Sequence, residues 1–237
     1  MPDVASCANP VSSASERRFG EGPLARVAAL VYTHLVVELL LLGTTLPGLL
    51  VLVLLDRDAS NIPLAAACAV PLGPALSAAL YALHHRRRDL TDLRPAAAFW
   101  RGYRLNFRGA LAIWVPWLAW LTIVAVNLAH FSAARVPGWW AVLLVVVAVA
   151  ATLAAMDALV ITSLFAFRAI DVARLAVSYL GRAPGVTLAN ACLLVVAAGI
   201  TAVATEAVLA LLGSILAAML LRTCRPMIAE IQREFTA

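Results

Sequence analysis

Five stretches of this chain run for about twenty residues or more without a single arginine or lysine: Val27 to Leu55, Ile62 to Leu83, Ala110 to Leu128, Trp139 to Phe167 and Val186 to Leu221. They hold only three carboxylates between them, Glu38, Asp157 and Glu206. A run of that length crosses a hydrocarbon core of roughly 30 Å as a helix. In lipid an open chain has no alternative, because each backbone N–H and C=O must be satisfied within its own segment. The expected fold class is therefore all-α, a polytopic helical membrane protein. With 63% hydrophobic and 13% charged residues, the composition lies well outside the soluble range of roughly 45–50% apolar and about 25% charged.

The cations punctuate these runs. All eighteen are arginine, which suggests GC-rich coding and hence a bacterial source. Seven of them fall in His84 to Arg108, three between Arg168 and Arg182, and one each in the loops at Arg57 and Arg135. Arginines held on the cytoplasmic side set membrane orientation. The pattern closes if Val186–Leu221 is split near Thr205–Glu206, giving about six spans with both termini cytoplasmic. The expected spans are then 27–55, 62–83, 110–128, 139–167, 186–204 and 206–221, within a transmembrane domain covering 23–221. Residues 1–22, polar and without a signal-peptide core, read as a disordered cytoplasmic tail, and 222–237 as a charged cytoplasmic tail. The predicted location is the bacterial plasma membrane. A net charge of +5 spread between spans rather than along one face argues against nucleic acid.

Breaks are legible too. Pro47–Gly48 should bend the first span or start a second piece. Pro71, Gly73 and Pro74 should end one helix and open another, with Pro74 in the new first turn. After the cluster His84 to Arg88, read as a stop-transfer signal, Arg101, Arg104 and Arg108 share one helical stripe, while Phe99, Trp100, Tyr103 and Phe107 cover the neighbouring face. This predicts an interfacial amphipathic helix over Ala96 to Arg108, arginines toward anionic headgroups and rings toward acyl chains. Trp100, Arg101, Tyr103, Arg104 and Arg108 are accordingly the candidate docking or lipid-binding face.

The order of two segments resembles a known family. Leu72-Gly73-Pro74-Ala75-Leu76-Ser77-Ala78-Ala79-Leu80-Tyr81 is followed, after the basic loop, by Phe99-Trp100-Arg101-Gly102-Tyr103-Arg104-Leu105-Asn106-Phe107. A Gly-Pro-Ala turn into a helix, then an aromatic–basic–Asn-Phe segment before the next span, is similar to the YesL-like bacterial membrane family of unknown function. The resemblance implies an accessory role beside carbohydrate uptake, with a sugar ABC transporter component as a partner. It carries over no catalytic residue.

Ionisable groups inside spans are the other pointer to function. Glu38 and Asp157 both fall near mid-span, and His34 lies one turn before Glu38. A midplane polar site of His34, Glu38 and Asp157 would suit a small stand-alone transporter. The competing reading is that each carboxyl is protonated or caps a neighbouring helix. Neither G-x-S-x-G, H-E-x-x-H nor a phosphate loop is present, and the four cysteines show no paired spacing. The expectation is therefore a protein without enzymatic activity, cofactor or metal.

Overall fold

The computed structural model describes residues 23–56, 58–85, 94–133, 136–203 and 206–235. The expected N-terminal tail, the Arg86–Arg88 cluster and the loop arginines Arg57 and Arg135 lie outside them. Ten α-helices follow in order: α1 (Pro23–Leu54), α2 (Ile62–Cys68) entered through a 3-10 turn (Ala59–Asn61), α3 (Leu72–His84), α4 (Pro95–Ala129), α5 (Trp139–Leu164), α6 (Ala169–Arg182), α7 (Pro184–Val203), α8 (Glu206–Leu211), α9 (Gly213–Thr223) and α10 (Arg225–Phe235). Among the described residues there is no strand.

Helices α1, α4, α5 and α7 are each long and apolar enough to cross a membrane, and the bent pair α2–α3 reaches the same length and apolarity when taken as one broken span. Their outward faces carry large aliphatic side chains such as Leu35, Leu39, Val145, Val146, Val195 and Val196. That is the surface a multi-pass protein offers to lipid. The segment expected as a sixth span is broken at Leu212 into two short helices, α8 and α9, each by itself shorter than the roughly twenty residues a crossing needs.

The Pro71–Pro74 region breaks the chain as its sequence implies: α2 ends at Cys68, α3 begins at Leu72, and their axes meet at 40°. The break is held by α4. Trp114 donates its indole N–H to the Ala69 carbonyl at 2.9 Å. Gly73 leaves room for that ring, since a Cβ there would sit 2.7 Å from Trp114 Cδ1.

Two expectations are narrowed. Of the two outcomes expected at Pro47, a bend or a new piece, the new piece does not occur: α1 runs unbroken for 32 residues. A membrane helix tolerates an internal proline where neighbours and local adjustment re-satisfy the freed backbone groups. The arginine-bearing segment is not a separate interfacial helix either. Residues 96–108 are the first third of α4, 35 residues long and continuous through Gly109. At 1.5 Å per residue α4 is about 52 Å long, so it extends well past a core of roughly 30 Å. Packing fixes this extension. Gly102 is buried against Tyr81 of α3, where a Cβ would meet the ring at 2.8 Å. Asn106 donates to the Ser163 carbonyl at the end of α5, at 3.1 Å.

The core centres on α3, whose small residues Ala75, Ser77, Ala78, Ala79 and Ala82 are buried between α4, α5 and α1. Small side chains let helices approach closely where the hydrophobic effect supplies no drive between them. The C-terminal segment is also structured. In α10, Met227 and Ile231 are fully buried with Val172, Ala176 and Tyr179 of α6 in one apolar cluster. Arg182 reaches Glu230 and Glu234 across the same junction at 3.7 Å. Burial first, then the charges of Glu230 and Glu234, push the Tyr179 phenol above its usual range, so it stays protonated.

Candidate functional site

Polar side chains inside the bundle collect at the two ends of α9. At its C-terminal end stands Asp157 of α5, 1% exposed. Its Oδ1 accepts a hydrogen bond from the Asn190 side-chain amide of α7 at 2.8 Å, and the Cys224 thiol lies 3.7 Å away. Asn190 is fully buried, and its side-chain carbonyl accepts from the Thr223 hydroxyl at 2.6 Å. Four residues from three segments thus close a short relay: Thr223 donates to Asn190, and Asn190 donates to Asp157. A buried polar group without a partner costs several kcal/mol, which is why such groups come as satisfied sets.

Glu38 of α1 stands at the other end of α9. Its Oε2 accepts the backbone N–H of Ser214 at 2.6 Å. The residue at the N-cap position of α9 is Leu212, which offers no side-chain acceptor. A helix start leaves its first N–H groups without intrahelical partners and carries a partial positive charge. Glu38 supplies from α1 the cap that α9 lacks in its own sequence. Its second oxygen, Oε1, has no hydrogen-bond partner among the described residues. Replacing Glu38 by alanine is expected to lower stability by about 1 kcal/mol, as loss of an N-cap usually does. Glu38→Gln, which keeps an acceptor, should lose less. Thermal unfolding of the detergent-solubilised protein measures both; equal losses would mean that Glu38 acts by charge rather than by capping.

These contacts separate the two carboxylates named from the sequence. Ser214 and Cys224 are ten residues apart on one helical path, about 15 Å at 1.5 Å per residue. Glu38 and Asp157 hold opposite ends of α9 rather than facing each other. His34 is half-buried one turn before Glu38. Among the described residues no three His, Cys, Asp or Glu side chains converge as a metal site would require.

A third polar contact joins α3 to α5: the Ser163 hydroxyl lies 2.9 Å from that of Ser77, both buried. Ser77, Ser163, Asn190, Ser214, Thr223 and Cys224 were not among the candidates the sequence offered. Asn190 did carry a signal. An amide within an apolar run is costly in lipid unless it finds a partner, and the run Val186–Leu221 contains this one asparagine. The hydroxyls carried none, because Ser and Thr in a membrane helix can bond their own backbone, as Thr33 does to Ala29 at 2.7 Å.

At the projecting end of α4, Arg101, Arg104 and Arg108 are exposed. The rings beside them run from core to surface. Phe99 is fully buried, Tyr103 is half-buried, and Trp100 is 44% exposed. Phe99 stacks on Tyr103 with centroids 6.4 Å apart, and Tyr103 meets Phe107 at 5.5 Å. The cationic stripe therefore rides on a ladder rooted in the core, held in place by Gly102 and Asn106.

No curated protein and no solved structure gives a significant match to the chain. Residues 34–128, which include Glu38, the Pro71–Pro74 break and the whole arginine–aromatic stripe, match the model of a family described as a protein of unknown function, DUF624.

Proposed function

We propose that this protein is a non-enzymatic accessory component of the bacterial plasma membrane, docking another membrane protein through the projecting end of α4. The observation that carries the reading is the fixed stripe of Arg101, Arg104 and Arg108 beside Trp100 and Tyr103. Arginine and large aromatic rings are the residue types that dominate the energetics of protein interfaces. A rigid support lowers the ordering cost of binding. Orientation from the arginine distribution puts this surface in the cytoplasm. The resemblance to the YesL-like family points to a sugar ABC transporter component as the partner. Anionic headgroups are the competing occupant of the same arginines.

The stand-alone transporter reading draws less support from the geometry. Glu38 and Asp157 are engaged at opposite ends of α9, and the large cavity in the bundle is apolar and is not lined by either of them. Affinity purification from native membranes in mild detergent separates the two. The wild type and Glu38→Gln/Asp157→Asn should both retain a membrane subunit of a sugar transporter, and Arg101→Ala/Arg104→Ala/Arg108→Ala should lose it. Recovery of the protein alone from all three, with solute uptake into vesicles abolished by Glu38→Gln/Asp157→Asn, would replace the accessory reading by the transporter.

A further inference from the structure

Between α7 and the first half of the chain lies a cavity of about 410 Å³. It falls within the roughly 300–1,000 Å³ typical of small-molecule sites. Its walls come from every helix except α6 and α10, with Leu41, Trp114, Trp117, Leu159, Leu193 and Leu216 among them, and no charged side chain lines it. Two hydroxyl-bearing residues, Thr45 and Thr152, also line it, and both are already engaged. Thr45 donates to the Leu41 carbonyl at 2.8 Å and Thr152 to the Ala148 carbonyl at 2.7 Å. Among the described residues the lining holds one buried donor without a partner, the Trp117 indole N–H, too little to satisfy a polar ligand or the roughly two to four bonds a settled water needs.

Packing leaves a way in. Helix α7 rests on α5, α6, α8 and α9 but makes no comparable contact with α1, α2, α3 or α4. The cavity is what separates it from them. Every wall helix except α8 and α9 is, alone or as part of the bent α2–α3 pair, long and apolar enough to cross a membrane, which sets the cavity at the depth of hydrocarbon.

We infer that this cavity is a lipid site that holds one acyl chain of a bilayer phospholipid, entering beside α7. A chain matches the wall in chemistry, needs no hydrogen bond at depth, and leaves its headgroup at the membrane surface. Filling the void also restores dispersion contacts that the lining otherwise lacks. This site is independent of the α4 surface and of its partner.

Tryptophan reports on the cavity directly, because Trp114 and Trp117 lie in its wall. Replacing Trp100, Trp120, Trp139 and Trp140 by phenylalanine leaves those two as the only indoles. The protein is reconstituted in vesicles of dibrominated phosphatidylcholine, whose chains quench indole fluorescence on contact, and is then exchanged into detergent with excess unbrominated lipid. Persistent quenching is the expected result, lost in Ala197→Phe and in Ala210→Phe, which fill the cavity from α7 and from α8. Each filled variant is first checked for wild-type elution and helicity. Full recovery of fluorescence after exchange would overturn the site by showing only passing contact with surrounding lipid. Persistent quenching that survives both fillings would overturn it equally, by placing the held lipid elsewhere. A chain-to-chain crosslink across α7 that fillings abolish, without any quenching, would mean that a second copy fills the gap instead.

Discussion

Replacing Asn190 by leucine is expected to cost about 3 kcal/mol of stability, the upper end for a buried hydrogen-bonding group whose partners are left unsatisfied. Asn190 is the one residue in its cluster that touches all the others: it donates to Asp157, accepts from Thr223 and lies 3.5 Å from the Cys224 sulfur. Removing it strands the Asp157 carboxyl in a site 1% exposed, with only a thiol nearby. Asp157→Leu alone should cost somewhat less, about 2 kcal/mol, because the group left behind is a neutral amide that keeps Thr223. The double variant Asp157→Leu/Asn190→Leu should be milder than the sum of the singles and within about 1 kcal/mol of wild type, since both halves of the polar pair go together. Midpoints of thermal unfolding in detergent give the cycle. Strictly additive losses would show that the two residues are not coupled and that the 2.8 Å contact carries no energy.

The same cycle decides what the cluster is for. A purely structural clamp predicts that the double variant, once its stability is regained, docks its partner as the wild type does. A chemical role for Asp157 predicts that function stays lost while stability returns. Asp157 links the middle of the bundle to the α9–α10 junction, so a positioning role would surface as weakened docking only in the single variants.

Much of this architecture was legible beforehand, and the reasons are specific. The spans follow from apolar length, which acts residue by residue. The Pro71–Pro74 break follows from backbone donors that proline lacks. What sequence could not resolve is where two elements share a surface. The Ala96–Arg108 stripe has the periodicity of an interfacial helix, and periodicity says nothing about whether the backbone stops at Gly109. It continues because Gly102 and Asn106 anchor it to α3 and α5, contacts 21 and 57 residues distant in the chain. The break at Leu212 is likewise invisible in a run of small and aliphatic residues. It becomes intelligible once Glu38, 176 residues before Ser214, is seen to cap the new helix start. Asp157 and Glu38 stood out as charges in apolar runs, but their partners are an amide and a backbone N–H rather than each other.

Glycine positions give the second large effect, and the contrast among them is the test. At Gly48, in the second half of α1, an added Cβ would overlap the carbonyl oxygen of Cys68 at the end of α2. That obstacle is backbone, so no rotamer change relieves it, and α1 and α2 must separate. Gly48→Ala is expected to cost about 3 kcal/mol, the high end for overpacking. At Gly43, five residues earlier in the same helix, nothing lies within 4 Å of the corresponding Cβ. Gly43→Ala removes only the excess backbone freedom of the unfolded chain and should raise stability by about 0.5–1 kcal/mol. The two changes are chemically identical, so their opposite signs isolate packing from propensity. Thermal midpoints measured side by side would show a fall for the first and a small rise for the second. Equal effects would mean that α1 and α2 do not make the close approach seen here. Because Gly48 and Cys68 both line the apolar cavity, separating these helices should also release the held acyl chain, and Gly48→Ala should lose the persistent quenching of Trp114 and Trp117 while Gly43→Ala retains it.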